Sequence, residues 1–307
     1  MKVSIAICTW NRARLLRQTL EQICNLQWEP GVDWELIVVD NNSSDDTSAV
    51  IDAFRDRLPL KPLFESQAGH SRSRNAAVAQ TTGDLIVWTD NDVLVDPNWA
   101  MAYVEAASRH PQADFFGGKI VPRFEDIQPD WLAETWTKCQ PVYAARDLGD
   151  TEFCLDPGQF PFGANFAVRT STQRKYLFNP ESGRCQHSML GDDEIGVMRR
   201  MVADGHHGIW VPTAVVQHVI PSDRATPRYV ADYFLAQGRM NVRHDRATFD
   251  SPWHAWRVAW FNQICYLLKR RSAPADEWVS HLIRANIARG EWLEKPARRN
   301  HPVDREC

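Results

Sequence analysis

The chain has 307 residues, a formal net charge of -4 and 44% hydrophobic residues, as expected for a folded protein with one large domain or a domain plus an appendage. It contains no run of about 18 uncharged apolar residues, so we expect no transmembrane helix. Acidic residues outnumber basic ones over residues 1–224, which argues against nucleic acid as the main partner. The seven cysteines are scattered without C-x-x-C spacing, which favours a reduced, cytoplasmic protein.

Strands and helices alternate along the first part of the chain. Short runs of β-branched and apolar residues are each followed by apolar residues at helical spacing, such as Leu15, Leu16 and Leu20 after the first run. The run beginning at Leu85 has four consecutive large apolar residues and is typical of a central strand covered on both faces. This alternation predicts an α/β fold with a mostly parallel central sheet. The strands are predicted over residues 3–8, 34–39, 60–64 and 84–90.

Two acidic residues, Asp90 and Asp92, come at the end of the predicted central strand. In open α/β sheets, ligands bind at the carboxyl ends of the strands. Two carboxylates this close repel each other unless a cation joins them. Hard oxygen ligands suit Mg²⁺ or Mn²⁺, and such a cation usually also holds substrate phosphates. The alternative interpretation is a strand end followed by a solvated acidic turn.

The ends of three predicted strands should meet at one edge of the sheet. These ends are residues 9–12, 40–42 and 90–92, and all three are polar, which predicts a cleft suited to a nucleotide. The first turn lacks G-x-G-x-x-G, and the chain has no G-x-x-x-x-G-K-[ST]. We therefore expect phosphate to be neutralised by a metal and side chains rather than by a glycine-rich loop.

Four segments in this half resemble the family 2 glycosyltransferases in order and spacing: residues 7–12, 35–43, 69–75 and 89–93. The resemblance implies the GT-A fold, which binds nucleotide sugars and has a mostly parallel central sheet flanked by helices. It also implies that Asp90 and Asp92 form the DxD motif that serves ribose, metal and diphosphate. The nucleotide-binding residues implied in this way are Thr9, Trp10, Asn11, Arg12, Asp40, Asn41, Arg74, Asp90 and Asn91.

The resemblance gives several of these residues a role. Thr9 and Trp10 would flank the base, and Arg74 would lie near the diphosphate. Asp40 and Asn41 would hydrogen-bond the base or the ribose. Many family members have a second Asp where this chain has Asn41, and an amide both donates and accepts hydrogen bonds. We expect UDP as the donor nucleotide, with GDP or dTDP as alternatives.

Residues 192–194 are three consecutive acids at the start of a predicted helix. The helix dipole favours acids there, so N-terminal capping alone could explain them. A carboxylate held in a cleft can also accept the proton of an attacking hydroxyl group. In the family's acidic motif the second acid is usually the general base. The resemblance therefore implies Asp193 as the base, with Asp192 supporting it and with Asp192 and Glu194 as alternates for the base.

His218 comes near the end of a strand predicted over residues 208–219. A histidine in such a position is often a hydrogen-bonded structural residue. Some enzymes of this fold use a histidine after the last core strand as a metal ligand, and imidazole suits Mn²⁺ better than Mg²⁺. Upstream, the apolar segment 160–169 resembles the family's strand beside the donor sugar, and its small residues would let backbone approach a ligand.

Together these residues predict a single displacement with inversion at the anomeric carbon of a nucleotide-diphosphate sugar. A metal at Asp90 and Asp92 would neutralise the leaving diphosphate while Asp193 takes the proton of the acceptor. The expected acceptor is a saccharide or a lipid-linked group, in polysaccharide or glycoconjugate synthesis. Two alternatives are a DxDx(T/V)-type phosphatase, with Asp90 as a phosphorylated nucleophile, and a non-catalytic nucleotide-sugar-binding protein.

We expect two domains. A catalytic domain would cover residues 1–225, with 1–95 binding the nucleotide and 96–225 serving the acceptor and catalysis. A basic, Trp-rich helical extension would cover residues 226–307. The extension has no match to the Q-x-x-R-W motif that processive family members usually carry, which favours non-processive transfer.

One helix of the extension has two interpretations. Large apolar residues recur at helical spacing, and the basic run Lys269-Arg270-Arg271 follows them. We expect their face to pack on the catalytic domain. The alternative is a peripheral contact of the 253–271 helix with the inner face of the cell membrane. The residues of this face are Trp253, Trp256, Trp260, Ile264 and Leu267.

Overall fold

The computed structural model describes residues 1–180 and 193–300, with side chains as far as residue 295. These residues form two compact units. The first contains Met1–Arg123 with residues 144–180 and 193–219, and the second contains Phe124–Tyr143 with residues 220–300. The sequence-based division at residues 225 and 226 assigned 124–143 to the catalytic domain, whereas the structure groups this segment with the C-terminal helices.

Within the described residues, nine strands form one sheet. Their bounds are β1 Lys2–Thr9, β2 Asp33–Asp40, β3 Leu60–Phe64, β4 Leu85–Asp90, β5 Val93–Val95, β6 Phe115–Phe124, β7 Phe153–Cys154, β8 Asn165–Arg169 and β9 Gly208–Ile220. The strand order is β3-β2-β1-β4-β8-β6-β9-β5, and β7 pairs with β9. The strands β3, β2, β1 and β4 are parallel, whereas β8 runs antiparallel to β4 and to β6. The parallel part is the part that carries the predicted nucleotide-binding residues.

The part of the chain that the structure describes also forms eleven helices. They are α1 Ala13–Ile23, α2 Thr47–Asp52, α3 His70–Gln80, α4 Trp99–Arg109, α5 Asp130–Glu134, α6 Trp136–Cys139, α7 Thr170–Gln173, α8 Asp193–Ala203, α9 Pro227–Arg243, α10 Pro252–Lys269 and α11 Ala275–Asn300. Short 3₁₀ turns cover Gln140–Tyr143 and Ser222–Arg224. None of the described helices is long and apolar enough to cross a bilayer.

The sheet of the first unit is buried on both faces, because alternate residues of its strands join two different clusters. In β4, Leu85 and Val87 belong to the core that includes residues of α1 and α4, whereas Ile86 and Trp88 belong to the core on the other face. All four side chains are buried, so the prediction of a central strand covered on both faces is confirmed.

The second unit is helical and has its own core. Its buried residues include Leu132, Tyr143, Val230, Val279 and Leu282, from α5, the first 3₁₀ turn, α9 and α11. Helix α9 passes α11 closely, since a Cβ at Gly238 would lie 2.1 Å from the backbone oxygen of Ile287. Helix α11 thus contributes Trp278, Val279 and Leu282 to this core.

The large apolar side chains of α10 are not covered. Trp253 is 73% exposed, Trp260 56%, Ile264 48% and Leu267 56%. Helical spacing shows that side chains share a face and does not show what covers it, so the expectation that this face packs on the catalytic domain stays a prediction.

Candidate active site

The parallel register brings the three predicted strand ends together. Thr9 at the end of β1 is paired with Asp40 at the end of β2, and Cys8 is paired with Asp90 at the end of β4. Residues 9–12, 40–42 and 90–92 therefore lie along the carboxyl edge of the parallel strands, where ligands bind in folds of this kind.

Side chains at this edge hold the loops that follow the strands. The Asn91 amide donates to Thr9 Oγ1 at 3.1 Å and to the Cys8 carbonyl oxygen at 3.2 Å. Asp40 Oδ1 accepts from the backbone N–H of Ser43 at 2.9 Å. The Trp10 side chain, in contrast, is 39% exposed and offers a ring face to a ligand.

Asn11 and Arg12 occupy the turn between β1 and α1. Asn11 has a φ of +49°, a left-handed conformation that Asn tolerates better than most residues. Its Oδ1 accepts from the backbone N–H of Ser44 at 2.7 Å, and Arg12 comes directly before α1. The turn is thus joined to the loop after β2.

Asn41 holds the segment between β3 and α3. Its amide nitrogen donates to the carbonyl oxygens of Glu65 at 3.0 Å and Gln67 at 2.8 Å, and its Oδ1 accepts from the N–H of Gly69 at 2.9 Å. Both amide hydrogens are used in this way, which gives a physical reason for Asn here, since an ionised Asp could not donate to two carbonyl groups. The structure thus places Asn41 as a loop support, where the resemblance implied a contact with base or ribose.

Arg74 is the centre of the charged cluster. It lies one turn into α3, its side chain is only 3% exposed, and its guanidinium faces three carboxylates. The distances from Arg74 are 3.2 Å to Asp193, 3.3 Å to Glu194 and 3.9 Å to Asp90. Rings also surround the guanidinium, with centroid distances of 5.7 Å for Trp88, 5.6 Å for Phe166 and 5.1 Å for Phe178. A planar, permanently charged group suits this aromatic enclosure.

The two acids at the start of α8 have opposite proton affinities. Burial raises the pKa of Asp193, but Arg74 and His70 outweigh it and hold this pKa well below its usual range. Burial and the adjacent charge of Asp193 raise the pKa of Glu194 to about 8, against the opposing effect of Arg74. One guanidinium cannot fully compensate two buried carboxylates, so Asp193 is the ionised member and Glu194 the one that holds a proton more tightly.

His70 is a site residue that the sequence analysis missed. Its Nδ1 lies 3.0 Å from Asp193 Oδ2, the same oxygen that accepts from Arg74. His70 and Arg74 are four residues apart on α3 and hence share a helix face, which is the signal that could have identified it. Asp193 is thereby held from two directions by side chains of one helix.

Gly163 lets this cluster approach the backbone. Its N–H donates to Glu194 Oε1 at 3.1 Å. A Cβ at this position would lie 2.7 Å from Arg74 Nη2 and 3.1 Å from Glu194 Oε1, both closer than such contacts normally are. We expected the small residues of segment 160–169 to let the backbone approach a ligand. At Gly163 the groups that approach the backbone are instead the side chains of Arg74 and Glu194.

Two of the predicted metal ligands lie together. Asp92 Oδ1 is 3.5 Å from His218 Nε2, because the next residue, Val93, pairs with His218 across β5 and β9. Both side chains are mostly buried. Asp90 instead lies against Arg74, and no group of three His, Cys, Asp or Glu within the described residues could hold a metal ion. A carboxylate and an imidazole are a donor pair that fits Mn²⁺, with phosphate oxygens and water as further ligands.

The remaining predicted residue is Asp192, which lies outside the described residues. The described part of α8 begins at Asp193. This position is compatible both with a capping role and with a catalytic role for Asp193.

Comparison with known proteins identifies the family. The sequence model of glycosyl transferase family 2 matches residues 4–192, more than half of the chain. The chain belongs to this family. The matched segment contains the three strand ends and Arg74, and it ends one residue before Asp193.

Curated relatives of this family carry glycosyltransferase names. A glucosyl-dolichyl phosphate glucuronosyltransferase of Haloferax volcanii is 28% identical over 137 residues, 44% of this chain and 43% of that protein. A validoxylamine A glucosyltransferase of Streptomyces hygroscopicus subsp. jinggangensis is 31% identical over 159 residues, 50% of this chain and 37% of the relative. The chain thus spans less than half the length of these two relatives. The succinoglycan biosynthesis protein ExoM of Rhizobium meliloti is 24% identical over 273 residues, 85% of this chain and 79% of the relative.

Solved structures of the same architecture confirm the predicted GT-A fold. The S. aureus TarS 1-349 structure in complex with UDP has a TM-score of 0.58 at 14% identity and covers 98% of this chain and 92% of its own. The mannosyltransferase PcManGT from Pyrobaculum calidifontis, in complex with GDP-Man and Mn²⁺, has a TM-score of 0.55 at 16% identity, with 97% and 75% covered.

Proposed function

We propose that this family 2 member is an inverting glycosyltransferase that moves a sugar from a nucleotide-diphosphate donor to an acceptor hydroxyl group. The observation that carries the proposal is the position of Arg74, whose guanidinium joins Asp90 of the DxD motif to Asp193 at the start of α8. A cation suited to a diphosphate and an ionised carboxylate suited to an acceptor proton are thus neighbours at the ligand-binding edge.

Each residue has a chemical role in this proposal. The Trp10 ring and Thr9 flank the base, Asp40 binds base or ribose, and Asn41 supports the loop before α3. Asn11, Arg12 and Asn91 shape the nucleotide pocket. When bound, Mn²⁺ or Mg²⁺ at Asp92, His218 and Asp90 would neutralise charge on the leaving diphosphate.

Asp193 acts as the general base, supported by Asp192 and positioned by His70. In the free protein Arg74 and His70 hold the pKa of Asp193 low, which makes its carboxylate a weak base. A diphosphate beside Arg74 would share that guanidinium and bring negative charge near Asp193, and both effects raise the affinity of the carboxylate for a proton. Donor binding therefore activates the base, and we expect the donor to bind before proton transfer.

The donor and acceptor are proposed by class. UDP is the expected donor nucleotide, with GDP or dTDP as alternatives, and the TarS and PcManGT structures hold UDP and GDP-Man respectively. The acceptor is a saccharide or a lipid-linked group, and transfer is non-processive, in polysaccharide or glycoconjugate synthesis. The cytoplasmic location and the membrane contact through residues 253–271 also stay predictions.

Calorimetry with UDP, GDP and dTDP tests the nucleotide site, first with Mn²⁺ and then with a chelator. We expect one diphosphate to bind in the presence of metal, and Asp92→Asn to weaken that binding by about tenfold or more. Asp52→Asn, which changes an exposed Asp, is the matched control. Absence of nucleotide binding, together with phosphatase turnover that Asp90→Asn abolishes, would overturn the proposal in favour of a phosphatase.

A transfer assay with the bound donor class tests the base. Removing a general base costs about 10²–10⁴-fold in rate, so we expect Asp193→Asn to lose that much turnover while still binding the nucleotide. A variant that binds nucleotide and transfers sugar as fast as the wild type would show that Asp193 is not the base. If the wild type binds a nucleotide sugar and transfers nothing to any acceptor or to water, the non-catalytic alternative is favoured.

A further inference from the structure

Helix α10 has an inverted pattern of burial. Its buried positions hold small or polar-tipped residues, which are Ala255, Ala259, Asn262 and Tyr266. Its exposed positions hold large apolar residues, which are Trp253, Trp260, Phe261, Ile264, Leu267 and Leu268, and their exposed fractions run from 48% to 73%. Helices on the surface of a water-soluble domain normally show the opposite pattern. Such a contiguous apolar surface is typical of an interaction site.

The exposed residues form one stripe opposite the buried stripe. Trp260 and Asn262 are two positions apart, which places them about 200° apart around the helix axis. The exposed stripe extends from Trp253 to Leu268, roughly 22 Å at the rise of an α-helix. Because the buried face already packs in the second unit, this stripe is the part of the helix left for another partner.

The charged side chains along the stripe are basic, although Lys269 at its end pairs with Glu277 of α11. Residues 251–275 contain no Asp or Glu, whereas Arg257, Lys269, Arg270 and Arg271 all lie within them. Arg257 is exposed within the apolar stripe, and Arg270 and Arg271 are exposed at its C-terminal end. We propose that the α10 stripe binds the surface of an anionic lipid bilayer, with the helix lying in the interface plane.

Burial of apolar side chains and attraction between charges would both contribute to binding. Tryptophan rings are favoured at the level of the lipid headgroups, and leucine and isoleucine enter the acyl boundary. Exposed arginines near an anionic surface each add about 1 kcal/mol of attraction. A second copy of the chain fits less well, because residues 251–275 offer cations and no carboxylate to pair with them.

The test is co-sedimentation of the full chain with vesicles of phosphatidylcholine, and with vesicles that also contain phosphatidylglycerol. We expect binding to the anionic vesicles, weaker binding to the neutral ones, and a decline with added salt. The double variant Trp253→Ser and Trp260→Ser should reduce the partition constant by about tenfold or more. Ile127→Ser is the matched control, because Ile127 is 95% exposed in the same unit and far along the chain from α10.

A second variant separates charge from apolar burial. Arg257→Gln with Arg271→Gln should weaken binding to anionic vesicles and leave binding to neutral vesicles unchanged. All four substituted side chains are exposed, so the free energy of unfolding and the binding of nucleotide should stay at the wild-type value. Failure of the proposed sugar transfer would thus not affect this result.

Two outcomes would overturn the proposal. One is sedimentation with vesicles that the tryptophan double variant does not change. The other is no vesicle binding together with a dimer, seen by analytical ultracentrifugation, that the same variant dissociates, since the stripe would then be a contact between copies of the chain.

Discussion

The parallel strands of the first unit carry a buried charged cluster at each end, and the two clusters differ in how their charges are balanced. At the amino end, Glu35 of β2 accepts hydrogen bonds from Ser4 at 2.6 Å and from the Thr82 N–H and hydroxyl group at 2.7 and 2.8 Å. Lys61 pairs with the same carboxylate. At the carboxyl end, Arg74 is shared among Asp193, Glu194 and Asp90.

The pKa values follow from this difference. Burial raises the pKa of Glu35, but the bonds from Lys61, Ser4 and Thr82 outweigh it and lower the pKa to about 2. At the other end the pKa of Asp193 is lowered and that of Glu194 is raised. A carboxylate with all its partners in the protein is a structural element, whereas a cation shared by too many acids is ready to exchange one of them for a ligand.

Removing the shared cation should have the largest effect. Arg74→Met removes the shared cation and leaves Asp193 with His70 and Glu194 with the Gly163 N–H as partners, and we expect the free energy of unfolding to fall by about 4 kcal/mol in urea titrations. Arg72→Met is the control, because Arg72 is exposed on the same helix. Adding Glu194→Gln to Arg74→Met should restore part of the loss, and a double variant no more stable than Arg74→Met would contradict the shared-cation account.

Glu35→Gln should break the balanced cluster. An amide cannot accept all the bonds that the carboxylate accepts, so we expect a loss of about 2 kcal/mol in the free energy of unfolding. The folded fraction should keep wild-type turnover, because Glu35 lies at the opposite end of the strands from the site. Glu29→Gln, at an exposed position, should change neither quantity. A drop in turnover per folded molecule would show that the two ends are coupled.

His70→Ala should separate positioning from binding. Asp193 keeps its contact with Arg74 but loses the one from His70, so we expect kcat to fall about tenfold while the KM for the donor changes little. The acidic limb of the pH–rate profile should move to higher pH, because one group that lowers the pKa of Asp193 is gone. A purely structural role would leave that limb in place.

The last prediction concerns pH. A carboxyl group with a raised pKa keeps its proton in the fold after the unfolded chain has lost it, so stability declines as pH rises between the two pKa values. Glu194, with its pKa raised to about 8, should therefore make the wild type lose more stability than Glu194→Gln between about pH 5 and pH 8.

Glu35 should show the opposite pH dependence to Glu194. Its lowered pKa means that its contribution is complete above the unfolded pKa and is lost as pH falls towards about 2. Thermal melts of Glu194→Gln and Glu35→Gln should therefore diverge from the wild type in opposite parts of the pH range. Parallel curves for Glu194→Gln and the wild type would mean that Glu194 is ionised in the fold.

The sequence predicted what local pattern and strand order determine. Apolar runs located β1, β2 and β4, and parallel pairing then required Thr9, Asp40 and Asp90 to share an edge. The helix pattern placed Asp193 at the start of α8. These features depend on the spacing of residues along the chain, which the sequence contains directly.

The features that the sequence did not reveal depend on which distant segments meet. The partners Arg74 and Asp193 are 119 residues apart, and neither periodicity nor composition pairs them. Asn41 supports a loop 24 to 28 residues further on, so its role follows from the path of that loop. For α10, the period gave the helix and its apolar residues but not the side that the second unit covers.

Gly163 has a consequence for how the site can be mapped by mutagenesis. Its peptide N–H donates to Glu194, and its carbonyl oxygen lies 3.5 Å from Arg74 Nη2, so the backbone itself is a member of the charged cluster. Apart from proline, which lacks the N–H, no substitution removes these two groups, and Gly163→Ala would report the crowding of a new methyl group instead. A scan of substitutions will therefore underestimate the contribution of the Gly163 backbone to the charged cluster. Replacing the peptide bond by an ester through chemical synthesis would measure that contribution.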